Sequence, residues 1–145
     1  MLTDRRHQPK GFAHTAVNTT ALACLCALPL ASAQTVVCHV DYGGEVRRIV
    51  APPVNSPYGV AAVEVGSYFL FRVVNQTQPA DLASVKVYTY ANHEGGAAPI
   101  HQAQYSAAQV AQQPVRGGHG FTGQHWVYEP VRDGELRYWC EKGRP

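Results

Sequence analysis

The constraint that most limits how this chain folds is a pair of cysteines near the two ends of its strand-forming part. Around the first, Val36, Cys38 and Val40 share one face of an extended segment, while Thr35, His39 and Asp41 lie mainly on the other. Near the C-terminus, Leu136, Tyr138 and Cys140 share a face opposite Glu135, Arg137 and Glu141. Both thiols therefore fall on the apolar side of their segments. A Cys38–Cys140 bond ties the first strand to the last and closes a loop of roughly 100 residues, for which chain entropy gives about 4.7 kcal/mol. For a domain this small, that is a large share of the net stability. The alternative, a thiolate metal site, needs further ligands on the buried side, and His39 points away from it.

Whether thiols oxidise depends on compartment, and the first 33 residues speak to that. Arg5, Arg6 and Lys10 precede an almost wholly apolar run from Ala21 to Ala33, which ends in the small-x-small triplet Ala31-Ser32-Ala33. This is the layout of a cleaved export signal, and about a dozen apolar residues fall short of the roughly 20 that a helical span requires. The competing reading is an amphipathic helix that stays attached, against which Pro29 and the basic leader both count. The expectation is a signal peptide over residues 1–33, a mature chain from Gln34, a periplasmic or secreted location, and no membrane span. The leader takes Cys24 and Cys26 with it, so that Cys38 and Cys140 are the two cysteines left. It also takes the excess basic charge. Nine basic and nine acidic residues remain, which removes the electrostatic case for nucleic acid or an anionic membrane as partner.

From Gln34 onward, β-rich runs recur every 10 to 15 residues or so, separated by Gly, Pro, Asn or Asp. They place strands near 35–41, 45–51, 60–65, 67–74, 84–91, 99–105, 121–129 and 135–141. Tyr42-Gly43-Gly44 and Arg132-Asp133-Gly134 read as hairpin turns in which glycine supplies positive φ. The Ala- and Gln-rich stretch 106–113 is the one helical segment expected, ending before Pro114. Val85 and Val87 oppose Lys86, Tyr88 and Tyr90, and Phe69, Phe71 and Val73 oppose Tyr68, Leu70 and Arg72. Such alternation means burial on one face and suits antiparallel sheets packed face to face. The expected fold is an all-β antiparallel sandwich over residues 34–145, Ig-like in broad outline.

Motifs for chemistry are sparse. Gly118-His119-Gly120-Phe121-Thr122-Gly123 has the form G-x-G-x-x-G, but it runs from loop into strand, and a phosphate cradle needs a following helix. No nucleophile elbow, zinc-protease helix or P-loop is present, so no enzyme activity is expected. Of the five histidines after the leader, His93, His101, His119 and His125 lie near loops and strand starts, where two or three can meet. Neutral imidazole suits copper and zinc. The competing reading is scattered surface histidines, and the spacings fit no standard finger. Tyr68, Tyr88, Tyr90, Trp126 and Tyr128 all fall on strands, where cross-strand packing competes with a binding platform. Tyr88 and Tyr90 are the pair singled out for a ligand or partner, since they oppose Val85 and Val87.

The leader together with Val37-Cys38-His39-Val40, Gly66-Ser67-Tyr68-Phe69, Lys86-Val87-Tyr88-Thr89-Tyr90, Gly120-Phe121-Thr122-Gly123 and Tyr138-Trp139-Cys140-Glu141 resembles small exported proteins of Gram-negative bacteria that carry no assigned activity. The resemblance covers most of the chain after the leader. It implies a periplasmic home and paired terminal cysteines, and brings no catalytic residues. Two functions are therefore expected in competition: a non-catalytic exported sandwich binding a protein partner or small ligand without cofactor, and a periplasmic copper or zinc binder.

Overall fold

A computed structural model describes residues 34–112 and 118–143. The expected leader, Gln113 at the end of the helical stretch and the last two residues lie outside the described residues. The strands are β1 (Val36–Tyr42), β2 (Glu45–Ala51), β3 (Pro53–Val54), β4 (Val63–Val65), β5 (Phe69–Gln76), β6 (Ser84–His93), β7 (Gly96–Ser106), β8 (His125–Glu129) and β9 (Gly134–Lys142), with one short helix α1 (Ala107–Ala111). Sheet A has the order β2-β1-β9-β8, and sheet B the order β3-β5-β6-β7 with β4 also on β5. Every pairing is antiparallel except β3 with β5. The all-β sandwich expected from the alternation is the fold observed. Among the described residues, no helix is long and apolar enough to cross a membrane.

The parity read from the sequence decides which side chains form the core. Cys38, Val40, Leu136, Tyr138 and Cys140 from sheet A meet Phe69, Phe71, Val73, Val85 and Val87 from sheet B in one buried cluster. Ring pairs bridge the layers: Phe71 meets Tyr138 edge-on at 5.1 Å and Tyr42 meets Phe69 at 5.2 Å. Such edge-to-face contacts add to the transfer of apolar area out of water. Val37 lies on the outer face and yet is buried. Gly143, just beyond β9, packs beside it, with its N–H donating to the Thr35 carbonyl at 2.7 Å.

β1 and β9 are adjacent, and Cys38 stands directly opposite Cys140, to which it is disulfide-bonded. The N–H and carbonyl of Cys140 turn away from β1. The N–H donates to Thr122 Oγ1 at 2.8 Å, and the carbonyl accepts from the Phe121 N–H at 3.0 Å. The two cysteines therefore form the non-hydrogen-bonded type of antiparallel pair, in which facing side chains approach most closely.

Two turns differ instructively. Gly43 and Gly44 both take positive φ, as the β1–β2 hairpin was expected to demand. In the β8–β9 turn the left-handed residue is Asp133, at φ 57°, and Gly134 instead opens β9. A Cβ on Gly134 would stand 3.2 Å from the Phe69 ring, so this glycine makes room for the core. The glycine-rich loop has a comparable explanation. Gly120 sits at φ 56°, and a Cβ there would come within 2.0 Å of the Cys140 carbonyl oxygen, so only glycine lets this loop dock on the disulfide strand.

Changing Cys38 and Cys140 together to alanine is expected to lower unfolding free energy by about 4–5 kcal/mol, by chain entropy alone. Urea denaturation of the oxidised parent and the double variant measures this, and equal midpoints would contradict it.

Candidate functional site

The four histidines named from the sequence do not converge. His101 on β7 and His125 on β8 come together, with ring centroids 5.5 Å apart, at the edge where the two sheets face each other. His119 meets Trp139 in a T-shaped ring contact at 5.8 Å, and His93 sits at the end of β6 beside the β8–β9 turn. Among the described residues, no group of three or more His, Cys, Asp or Glu is placed to hold a metal ion.

His101 and His125 each hydrogen-bond a tyrosine across the two sheets. His125 Nε2 lies 3.1 Å from the Thr122 carbonyl, which can only accept, so this nitrogen carries hydrogen. The same nitrogen is 2.8 Å from the Tyr105 hydroxyl, and the Tyr138 hydroxyl is 2.7 Å from His101 Nε2. These two bonds stitch β7 of sheet B to β8 and β9 of sheet A. His125 also stacks flat on Tyr138 at 4.9 Å. Burial pushes both phenols up from their ordinary value, with Tyr138 raised further by Tyr105, so both stay neutral. Burial, and then the neighbouring His125, holds His101 below the ordinary histidine value. Thr89, directly across the ladder from His101, keeps a buried hydroxyl with no partner among the described residues.

A second polar cluster, invisible from the sequence, fixes the β8–β9 turn. Glu129 is fully buried. Its carboxylate accepts the N–H of Arg132 at 2.8 Å and of Val131 at 3.3 Å. It faces Arg132 Nε at 3.6 Å and His93 Nε2 at 3.9 Å. The Arg132 guanidinium donates to the Asn92 carbonyl at 2.8 Å and to His93 Nδ1 at 2.7 Å, and lies 4.4 Å over the Tyr68 ring. The lone pair that would make His93 a metal ligand through Nδ1 is thus engaged by Arg132. An acidic residue at a strand end next to a turn reads as a solvated charge, which is why Glu129 gave no signal.

The aromatic residues divide between two outer faces. On sheet B, Tyr88 and Tyr90 lie side by side, nearly parallel, with centroids 6.3 Å apart. Both are half-buried, and the Arg72 guanidinium sits 5.4 Å from the Tyr88 centroid while Nε ties down the loop at Val60. On sheet A the cross-strand register lines up Val46, Asp41, Arg137 and Trp126 in one row. The next row holds Arg48, His39 and Trp139, with His39 stacked on Trp139 at 4.0 Å. Arg137 pairs with Asp41, and His39 with Glu141 at 3.0 Å. Tyr128, two residues from Trp126 on the same face, donates its hydroxyl to Asp133. That bond, in first place, raises the Tyr128 phenol. The Trp126-x-Tyr128 alternation carried this face in the sequence, but Trp139 and Arg137 join it only through strand order.

No protein-family model, no curated protein and no solved structure matches this chain.

Two outcomes follow from these clusters. Replacing Glu129 with Gln puts an amide where two backbone N–H groups and Arg132 need acceptors, and is expected to cost about 2–4 kcal/mol. Glu135→Gln, at an exposed position, should stay within about 0.5 kcal/mol; urea denaturation compares them, and equal effects would contradict the role given to Glu129. The lowered His101 also makes stability pH-dependent. Above its ordinary value of 6.5 both states are neutral and the contribution is whole; as pH falls below 6.5 the unfolded chain takes a proton that the fold resists, so stability drops. Thermal melts at pH 7.5 and 5 should show a smaller drop for His101→Gln than for the parent; an identical drop would contradict it.

Proposed function

We propose that this protein is an exported, non-catalytic β-sandwich that binds a protein partner through the outer face of sheet A. The observation that carries the reading is the exposure of Trp126 (59%) and Tyr128 (55%) at alternate positions of an edge strand, in line with Arg137 and with Val46 (64%). Trp, Tyr and Arg supply most of the energy at protein interfaces, and such side chains turned to water together mark a contact surface. On the same face Arg137 pairs with Asp41, and His39 with Glu141.

The disulfide supports an extracytoplasmic home, as do the basic leader and its small-x-small end. The non-catalytic reading is supported by how the titratable side chains are spent. Glu129 and His93 hold a turn, and His101 and His125 join the two sheets. Tyr88 and Tyr90 form a smaller platform on the opposite face, partly taken up by Arg72.

The two faces are separated by cross-linking and capture from periplasmic extract with the parent, Trp126→Ala with Tyr128→Ala, and Tyr88→Ala with Tyr90→Ala. The first double variant is expected to reduce capture of the parent's partner by about tenfold or more while its melting temperature stays unchanged. Loss only in the second would move the site to sheet B, and full capture by both would end the aromatic-face reading.

A further inference from the structure

A cavity of about 510 Å³ opens at one end of the sandwich, beside the end of β5, the start of β6 and α1. Val85, Ala107 and Val110 contribute apolar wall, and Asn75, Gln76 and Ser84 contribute polar wall. The polar three are 7%, 6% and 5% exposed, and among the described residues only Thr89 and Glu129 are other buried polar side chains. A fold that buries so few polar side chains has placed three of them around one apolar hollow.

What those side chains still offer is set by what they have already given. Asn75 Nδ2 donates to the carbonyls of Gln34 at 2.8 Å and Ala51 at 3.2 Å, which uses both its hydrogens. Gln76 Nε2 donates to the Gln78 carbonyl at 2.8 Å, and Ser84 Oγ to the Leu82 carbonyl at 3.0 Å. Because the partners are carbonyls, each amide is fixed with its nitrogen toward the protein. Oδ1 of Asn75 and Oε1 of Gln76 accept no hydrogen bond among the described residues. The hollow therefore offers acceptors to a guest. A charged head group would lose its hydration against the apolar wall, and a carboxylate brings no hydrogen to the two amide oxygens.

From this donor–acceptor balance we infer that the cavity binds a small uncharged amphiphile: an apolar body carrying one O–H or N–H donor, of which a medium-chain alcohol is the simplest member. The volume lies in the range of ligand pockets, and an apolar wall with a few placed polar groups is how such pockets fix orientation. The site shares no residue with the aromatic face, so neither reading depends on the other.

The test is a titration of isotope-labelled protein, recovered after export of the full chain, with 1-octanol, octyl methyl ether, octanoate and octylammonium. Expected are saturable amide shifts at Val85, Ala107 and Val110 and at the Asn75 and Gln76 side-chain NH2 groups with 1-octanol, and binding about tenfold weaker for the other three. Val110→Trp, which fills the hollow, should abolish the shifts. Gln76→Met, which removes one acceptor, should bring the ether to within about threefold of the alcohol. Absence of saturable shifts, shifts elsewhere, or equal affinity for alcohol and ether would overturn the inference, as would undiminished binding by folded Val110→Trp. Should that variant fail to fold, the ligand series and Gln76→Met decide.

Discussion

One covalent contact, the bond between Cys38 and Cys140, joins the first strand of sheet A to the last across a separation of 102 residues. β1 enters sheet A between its hairpin partner β2 and the distant β9, and that second pairing is the most non-local among the described residues. Such pairings carry the largest loop-closure cost, and a cross-link offsets it by restricting the unfolded chain. Because the two cysteines face each other in a ladder with fixed register, the bond also fixes which residues of β9 face inward. Leu136 and Tyr138 then reach the core, and Arg137 and Trp139 face outward.

The same strand organises both polar clusters. The N–H and carbonyl of Cys140 receive the loop at Thr122 and Phe121, which Gly120 alone lets approach, and this leads His125 onto the Tyr138 ring. At the other end of β9 the turn is locked by a buried carboxylate against Arg132 and His93. Sheet A is thereby fixed at both ends of β8. The exposed rings of Trp126 and Tyr128 thus ride on a rigid strand, and a preordered surface loses less entropy when it binds.

How much of this was legible follows from the range of the interactions. The two-residue period reported one-sided burial directly, and each of the eight expected strands has a counterpart, with Ser106 and Gln109 forming a capping box at the expected helical stretch. β3 was missed because Pro53 and Val54 sit in a proline-broken segment, and they pair with β5 only through tertiary contact. Strand order was not readable, and every site depends on it. His101 and His125 meet because β7 and β8 lie at facing edges, while His93 and His119 are carried elsewhere. Glu129, Asn75 and Gln76 read as ordinary polar residues at strand ends, and only the fold buries them.

The arrangement stands on Cys38 and Cys140 being joined in the folded protein. Protease digestion without reductant, after blocking free thiols, followed by mass spectrometry of the linked peptides, examines that bond itself. The account predicts one cross-linked pair containing Cys38 and Cys140 and no blocked thiol at either position. Recovery of both cysteines as separately blocked peptides would contradict it.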